Sequence, residues 1–351
     1  MDVREMTDRE AMTLAIQHAR LGIGHVAPNP PVGCVILDKN RRLLTTGHHE
    51  CFGGPHAEIV ALTKVEDSEL LRGAHLFVTL EPCAHFGKTP PCADQLVQLP
   101  LASVTYGLQD PFHLVAGKGA ARIAAAGIKV NEFREMQSEL RELIEVYWCN
   151  LNEQRAFVTL KAAVSLDGKI GMVGGQGQRL TGKSAQQWVH RLRYQHDSIL
   201  VGRKTVESDN PQLNIRFGEG KDLPVLVLDP RAQILSQAGK FQLASAHTRI
   251  IWCVNENSFP SAVPEGIEVW SVPGNDDMDL NFISQRCWKE KMASILVEGG
   301  AHVISRYLRD GCWDRMYLLQ AACIVGKNGI GFADKCAIDD WNDRLELQRP
   351  R

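Results

Sequence analysis

One histidine, one glutamate and two cysteines in the first third of the chain constrain its fold more than any other feature. His56 and Glu58 are separated by a single residue, and Cys83 and Cys92 follow them. Proteins bind zinc through neutral imidazole and thiolates, and three protein ligands leave a fourth position for water, as in catalytic sites. We therefore predict that His56, Cys83 and Cys92 bind one zinc ion. Glu58 is predicted to move the protons of the water without binding the metal.

The predicted ligands lie at helix starts that follow strands, in a half of the chain where strands and helices alternate. A Pro-rich loop leads into a buried strand at 32–37, and a polar turn leads from it to a hairpin partner at 43–46. This alternation is typical of an α/β layered domain. The other elements predicted here are helices at 8–21, 56–62, 93–99, 115–126 and 136–149, and strands at 74–80, 103–107 and near 129.

A polar stretch at 150–155 predicts a domain boundary, with one domain at 1–150 and a second at 151–351. The chain length of 351 residues is typical of two domains of ordinary size. The second half also alternates, so it is predicted to be α/β as well. Its predicted elements are strands at 157–163, 198–201, 225–228, 249–254, 294–298 and 315–320, and a helix at 188–196.

The composition of the chain argues against several functional classes. The formal net charge is −2, which argues against a general nucleic-acid binder. The ten cysteines have irregular spacing, so we expect reduced thiols and a cytoplasmic protein. No signal peptide and no apolar run long enough for a bilayer are present, so we expect no membrane partner.

Several alternatives to the zinc site remain open. The general deaminase signature has two residues between its cysteines, whereas this chain has the eight-residue insert AHFGKTPP at 84–91. His56, Cys83 and Cys92 could be unrelated, and His85 or Cys51 could replace one ligand. Cys34 is expected to be buried in a strand. A non-catalytic zinc-stabilised protein would not need Glu58. A nucleic-acid-editing deaminase is disfavoured by the insert and by the near-neutral charge.

The same blocks resemble the bifunctional deaminase/reductase family of riboflavin biosynthesis, in which the long cysteine spacing is a hallmark. The resemblance implies a cytidine-deaminase-like α/β/α layered domain followed by a dihydrofolate-reductase-like domain that uses NADPH. In the first domain it rests on PNPPVGCVI at 28–36, GGPHAE at 53–58, VTLEPCAHFGKTPPC at 78–92, QDP at 109–111 and AGKG at 116–119. In the second it rests on KAAVSLDGKI at 161–170, LTGKSA at 180–185, VGRKTVESDNPQLNIR at 201–216 and ILVEGGAHV at 295–303.

The resemblance implies the activity and its partners. Zinc-dependent hydrolytic deamination of 2,5-diamino-6-(ribosylamino)-4(3H)-pyrimidinone 5′-phosphate would be followed by NADPH-dependent reduction of the ribosyl group to ribityl. The enzyme would be a homo-oligomer that acts on this small molecule. Cofactor-binding positions would be Ala163, Arg179, Thr205, Asp209, Gly300, Ala301, His302 and Val303, and substrate-binding positions Gly177, Arg193, Leu213, Arg216 and Glu298, with Lys161 and Asp167 also at matching places.

The residue types of the second half also suit the binding of phosphate groups on physical grounds. A substrate phosphate needs cationic donors, which Arg193 and Arg216 supply. The strand–Gly–Gly–helix turn at 298–301 exposes a helix N-terminus to a cofactor phosphate, although such turns often serve packing alone. Asp209 could bind substrate hydroxyls, assist proton transfer or cap the following turn.

Departures from the family pattern occur only in the second half. They lie at Gly177, Arg179, Ala322 and Cys323. They leave open an alternative in which the chain is a deaminase whose second domain has lost catalysis. The polar positions are nevertheless retained, so we expect an active reductase that prefers NADPH.

Overall fold

In the computed structural model the chain forms two compact units, Met1–Glu153 and Gln154–Pro350. The residues described are 4–86, 90–112, 116–174, 179–216, 221–274, 277–336, 338 and 340–346. Gly177 and the predicted helix start at 115 lie outside them. Within the described residues, no helix combines the length and the apolar character needed to span a bilayer.

The first unit is built around a five-stranded sheet with the order β2-β1-β3-β4-β5. Strand β1 runs antiparallel to both of its neighbours, and the remaining pairs are parallel. The predicted hairpin of the first two strands is confirmed. The elements are α1 (Asp8–Ala19), β1 (Gly33–Leu37), β2 (Leu43–His48), α2 (Ala57–Thr63), β3 (His75–Leu80), α3 (Cys92–Leu96), β4 (Ser103–Leu108), α4 (Lys118–Ala125), β5 (Lys129–Glu132) and α5 (Gln137–Glu153).

Both faces of this sheet are covered, which explains why β1 is buried along its whole length. Cys34 and Ile36 pack on one face, in a core cluster that includes residues of α2, α3 and α4. Val35 and Leu37 pack on the other face with residues of α1 and α5. Successive side chains of a strand point to opposite faces, so a strand between two helical layers is apolar at every position.

The second unit contains a seven-stranded sheet in which every pair is parallel, with the order β11-β10-β9-β8-β12-β6-β13. Strands β7 and β14 form a separate antiparallel pair. The elements are β6 (Phe157–Val164), β7 (Lys169–Met172), α6 (Lys183–Tyr194), β8 (Ser198–Gly202), α7 (Arg203–Asp209), β9 (Val225–Leu228), α8 (Gln242–Ala246), β10 (Ile250–Asn255), β11 (Ile267–Val272), α9 (Leu280–Lys289), β12 (Ser294–Val297), α10 (Ala301–Asp310), β13 (Arg315–Gln320) and β14 (Gly329–Gly331).

The parallel sheet places the ends of several strands along one edge. Glu298 follows β12 directly, and Arg203 follows β8. Ligands of open α/β sheets bind outside the carboxyl ends of the strands, so the residues after β8 and β12 occupy the expected place for a site.

Most predicted boundaries agree with the structure to within three residues, and the two largest differences are at α5 and α6. Helix α5 continues to Glu153, so the polar residues 150–153 extend the helix instead of forming a linker. Helix α6 begins at Lys183, before the predicted 188, because its first turn is polar and lacks the apolar repeat that marks the rest. Elements β7, α7, α8, α9, β11 and β14 were not predicted.

Candidate functional site

Three short elements of the first unit position the predicted zinc ligands. His56 is the N-cap residue of α2, and Glu58 lies in the first turn of that helix. Cys83 follows the buried strand β3, and Cys92 is the first residue of α3. Two helix starts and one strand end therefore bring together residues that are far apart in the chain.

The side chains of His56, Cys83 and Cys92 converge. The Nδ1 atom of His56 lies 3.4 Å from Sγ of Cys83 and 3.2 Å from Sγ of Cys92. The three donor atoms all lie within 4.8 Å of one another. The backbone N–H of Cys92 donates to Sγ of Cys83 over 3.2 Å. One imidazole and two sulfurs fit zinc with a fourth position left for another ligand.

The cluster favours a thiolate before any metal is considered. Hydrogen bonds from the Cys92 side chain and from His56 lower the pKa of the Cys83 thiol to about 4, although burial opposes them. The neighbouring Cys83 thiolate and burial raise the pKa of Cys92, and the hydrogen bond to Cys83 raises the pKa of His56. A preformed thiolate suits zinc because metal ligands must be deprotonated.

Glu58 lies beside this cluster in a dry environment. Its residue is 3% exposed, and burial raises the pKa of its carboxyl, with a further contribution from the negative charge of Cys83. A raised pKa makes the carboxylate a stronger base than an ordinary glutamate and brings its protonated form closer to neutral pH, which suits a group that must hold a proton between two steps.

The rival ligands lie outside the convergent group. Cys51 is exposed, and its Sγ lies near Gly54. The ring of His85 packs edge-on against Phe112 at 5.6 Å, and its buried Nδ1 has no hydrogen-bond partner among the described residues. Cys34 is fully buried in β1, as expected from the sequence.

A second polar pair beside His56 was missed by the sequence analysis. Nδ1 of His49 lies 2.9 Å from the carbonyl oxygen of Pro55, and its Nε2 lies 3.1 Å from the amide nitrogen of Asn29. The rings of His49 and His56 are 5.5 Å apart. A carbonyl only accepts and an amide nitrogen only donates, so His49 is neutral with its proton on Nδ1. The sequence signal that could have indicated this contact was the polar Asn29 within the Pro-rich loop.

The second unit holds a cavity of about 1740 Å³ at the carboxyl ends of its strands. This volume exceeds the range of about 300–1,000 Å³ typical of one small ligand, so it accommodates a cofactor and a substrate together. Gly177 lies outside the described residues. The other predicted reductase positions all line the cavity: Ala163, Arg179, Arg193, Thr205, Asp209, Leu213, Arg216, Glu298, Gly300, Ala301, His302 and Val303.

Glu298 forms the centre of a buried ion-pair network in this cavity. Arg193 approaches its two carboxylate oxygens at 2.5 and 3.1 Å, and Nζ of Lys161 lies 3.4 Å away. Burial disfavours the Glu298 carboxylate, but the two cations outweigh it and lower its pKa to about 2. Arg193 is thus engaged by a carboxylate, and its Nη1 also donates to the carbonyl of Asn214 over 2.8 Å.

Arg216 differs from Arg193 because the side chains that accept its hydrogen bonds among the described residues are neutral. Its Nη2 donates to the Gln212 side chain over 2.8 Å, and its Nε donates to the Asn214 side chain over 3.1 Å. Leu213 between them has a φ of 56°, a strained conformation for a bulky side chain. Strain of this kind persists where the surrounding contacts fix it and is frequent in ligand-binding sites.

The Gly–Gly turn before α10 has a packing role and a binding role at different residues. A Cβ on Gly299 would lie 2.6 Å from Cβ of Val303, so this glycine lets α10 approach the sheet. A Cβ on Gly300 would meet only Thr205 Oγ1, at 3.7 Å, so this backbone faces open space. Gly300 and the α10 N-terminus fit a cofactor phosphate.

Asp167 and Asp209 have different positions. Asp167 does not line the cavity. It accepts hydrogen bonds from Ser165 Oγ and from the backbone of Val325 and Gly326, which lower its pKa. It therefore joins the start of β7 to the loop before β14. Asp209 is the last residue of α7 and does line the cavity.

Comparisons with known proteins agree with both units. Residues 5–108 match the family model described as the cytidine and deoxycytidylate deaminase zinc-binding region, and residues 156–348 match the RibD C-terminal domain. The riboflavin biosynthesis protein RibD of Aquifex aeolicus is 33% identical over 95% of this chain and 91% of its own length. That of Actinobacillus pleuropneumoniae is 35% identical over 92% and 86%.

Solved structures show the same similarity over both units. A Thermotoga maritima diaminohydroxyphosphoribosylaminopyrimidine deaminase/5-amino-6-(5-phosphoribosylamino)uracil reductase is 33% identical with a TM-score of 0.83, covering 95% of this chain and 91% of its own. Acinetobacter baumannii RibD is 28% identical with a TM-score of 0.79, covering 97% and 94%.

Proposed function

This chain belongs to the RibD family of riboflavin biosynthesis proteins, and we propose that its two units perform the two reactions with the site residues described above. The predicted fold class and the predicted bifunctional activity, a zinc deaminase and an NADPH-dependent reductase, are confirmed. The alternative of a deaminase with a non-catalytic second domain is not favoured, because the match to the reductase domain extends over 156–348.

The convergence of His56, Cys83 and Cys92 beside Glu58 is the observation that carries the deaminase assignment. When bound, zinc would supply a nucleophile by lowering the pKa of water toward about 7. Glu58 takes a proton from the attacking water and returns it to the leaving amine, so that water replaces ammonia at the pyrimidine ring. Its burial keeps the carboxyl from exchanging protons freely with bulk solvent.

The cavity of the second unit supports the reductase assignment. When bound, NADPH would supply a hydride to the ribosyl group, and a proton would provide the second hydrogen that completes the ribityl chain. Gly300 and the N-terminus of α10 bind a cofactor phosphate, and Arg216 binds the substrate phosphate. Glu298 holds Arg193 and Lys161 as a fixed pair of cations beside the substrate.

Two further proposals concern the oligomeric state of the protein and its location in the cell. We propose a cytoplasmic homo-oligomer that acts on this small-molecule substrate without nucleic acid or membrane. None of the ten cysteines forms a disulfide, and most are buried, which is typical of a reducing compartment. Edge strand β13 exposes Leu318, and apolar sheet edges of this kind are commonly covered by a partner. Light scattering of the purified chain measures the oligomeric state.

A coupled assay tests the whole proposal. The full chain is incubated with the diaminopyrimidine substrate, with and without NADPH, and the products are analysed by mass spectrometry. We expect replacement of the amine by oxygen in both samples and a gain of two hydrogens only with NADPH. Glu58→Gln should abolish the first change but still reduce added deaminated intermediate. Loss of both reactions in this variant would place Glu58 in a structural role.

A further inference from the structure

The loop that carries Arg216 is fixed by a buried histidine on another segment. The His247 side chain is 2% exposed and follows α8 directly. Its Nε2 lies 2.7 Å from the carbonyl oxygen of Gln212, and its Nδ1 lies 2.9 Å from a carboxylate oxygen of Asp222. His247 therefore joins the Arg216 loop to the segment before β9.

Both partners of His247 can only accept hydrogen bonds. A carbonyl oxygen and an ionised carboxylate have no proton to give, and a neutral imidazole has one N–H. The two contacts are both hydrogen bonds only when the ring carries two protons. Asp222 favours this state, since its pKa is lowered by bonds from Thr248 and His247 against the effect of burial.

The bond to Gln212 is one residue from the strained position. Leu213 has the left-handed φ described above, and the Gln212 side chain holds Nη2 of Arg216 at 2.8 Å. At the other end of the turn, the Gln242 N–H donates to the Asn210 side chain over 2.8 Å. Release of the Gln212 carbonyl would free the turn to leave its strained conformation, and the Arg216 guanidinium would move with it.

A second histidine, His190, contacts the same loop, but the ring nitrogen that makes the contact must carry no proton. The backbone N–H of Arg216 donates to Nδ1 of His190 over 3.1 Å, so this nitrogen carries no proton. Burial, Arg193 and Arg216 lower the pKa of His190, while Glu298 opposes them. The charged groups facing the two histidines are Asp222 at His247, and Arg193, Glu298 and Arg216 at His190.

We propose that His247 is a positioning residue of the reductase: its doubly protonated ring fixes the Gln212 carbonyl and so holds Arg216 for the substrate phosphate. The inference rests on the proposed phosphate contact of Arg216.

The test uses the full chain and three variants. His247→Gln keeps one donating nitrogen, but its other polar atom is an oxygen that cannot donate to the second acceptor. Ser245→Ala is the control in the preceding helix α8, where Oγ of Ser245 donates to the Gln242 carbonyl. Arg216→Lys tests the phosphate contact itself. The KM for the deaminated pyrimidine is measured at about pH 6.5, near the ordinary pKa of histidine. The NADPH dissociation constant and the deamination rate report whether both units remain folded.

We expect His247→Gln to raise the substrate KM about 3- to 10-fold at pH 6.5, the scale of one lost hydrogen bond. Ser245→Ala should match the native enzyme. Equal KM values for His247→Gln and the native enzyme would overturn the inference. An unchanged KM in Arg216→Lys would instead overturn the phosphate contact.

Nitrogen-15 NMR of the histidine side chains gives a measurement that needs no variant to fold. Both ring nitrogens of His247 should carry protons at pH 6.5, and one of His190 should not. A neutral His247 ring at this pH would refute the proposal directly.

Discussion

Replacing Glu298 by glutamine should destabilise the second unit strongly. The Glu298 side chain is 7% exposed, and its pKa falls from 4.5 to about 2 in the presence of Arg193 and Lys161. At about 1.4 kcal/mol per pKa unit, this shift corresponds to about 3 kcal/mol of stability at neutral pH. Glutamine keeps the shape but leaves two cations buried without a counter-charge, which is costly.

The lowered pKa of Glu298 also determines how the stability of the second unit changes with pH. The pKa of Glu298 is depressed in the folded state, so its contribution is complete above the ordinary value of 4.5 and is lost as pH falls toward about 2. The second unit of the native chain should therefore lose stability in this acidic window more steeply than the variant, which has no carboxylate to protonate.

Tryptophan fluorescence is a suitable assay because six of the seven tryptophans lie in the second unit. A loss of about 3 kcal/mol should lower its Tm by about 6–12 °C. Glu290→Gln is the matched control, since Glu290 forms a half-exposed surface pair with Arg249 and should cost no more than about 1 kcal/mol. A Glu298→Gln variant as stable as the control would refute the reasoning.

The remaining predictions concern the two sites. Cys83→Ser should lose most of the zinc and all deamination, whereas Cys34→Ser should keep its zinc, as measured by metal analysis; full occupancy in the first variant would remove Cys83 from the ligand set. Glu58→Gln should keep normal zinc content while its deamination rate falls at least ~10²-fold, and a drop below tenfold would exclude it as the proton shuttle. Arg216→Lys should raise the substrate KM with a smaller change in the NADPH KM, because lysine lacks the two-pronged geometry; equal changes would indicate a structural position.

The metal cluster could be predicted from the sequence because its residues and spacing are unusual in combination. The convergence of His56, Cys83 and Cys92 needed only the assumption that two helix starts and one strand end lie at the same edge of one sheet. His49 and Asn29 could not be found in this way, since their role depends on a contact between a Pro-rich loop and the end of a strand. Such contacts leave no spacing pattern in the chain.

In the second half, the residues of the site could be predicted from the sequence, but the contacts between them could not. Arg193 and Glu298 are 105 residues apart, and nothing in the local sequence indicates that they form an ion pair. Helix α7 was missed because it is short and mostly polar. Helix α9 had a usable signal, since Asp279 caps it by accepting from the N–H groups of Asn281 and Phe282.

The strand order of the two sheets has a consequence for synthesis of the chain. In the first unit, paired strands follow one another within a short stretch, so its sheet can form as soon as that stretch leaves the ribosome. In the second, the early strand β6 lies between β12 and β13, with Phe157 opposite Ser294 and Thr159 opposite Arg315. Until the last part of the chain emerges, β6 has both edges unpaired, an aggregation-prone state. During synthesis the deaminase unit can therefore fold early. The reductase unit must keep the apolar strand β6 from aggregating until β12 and β13 have been made.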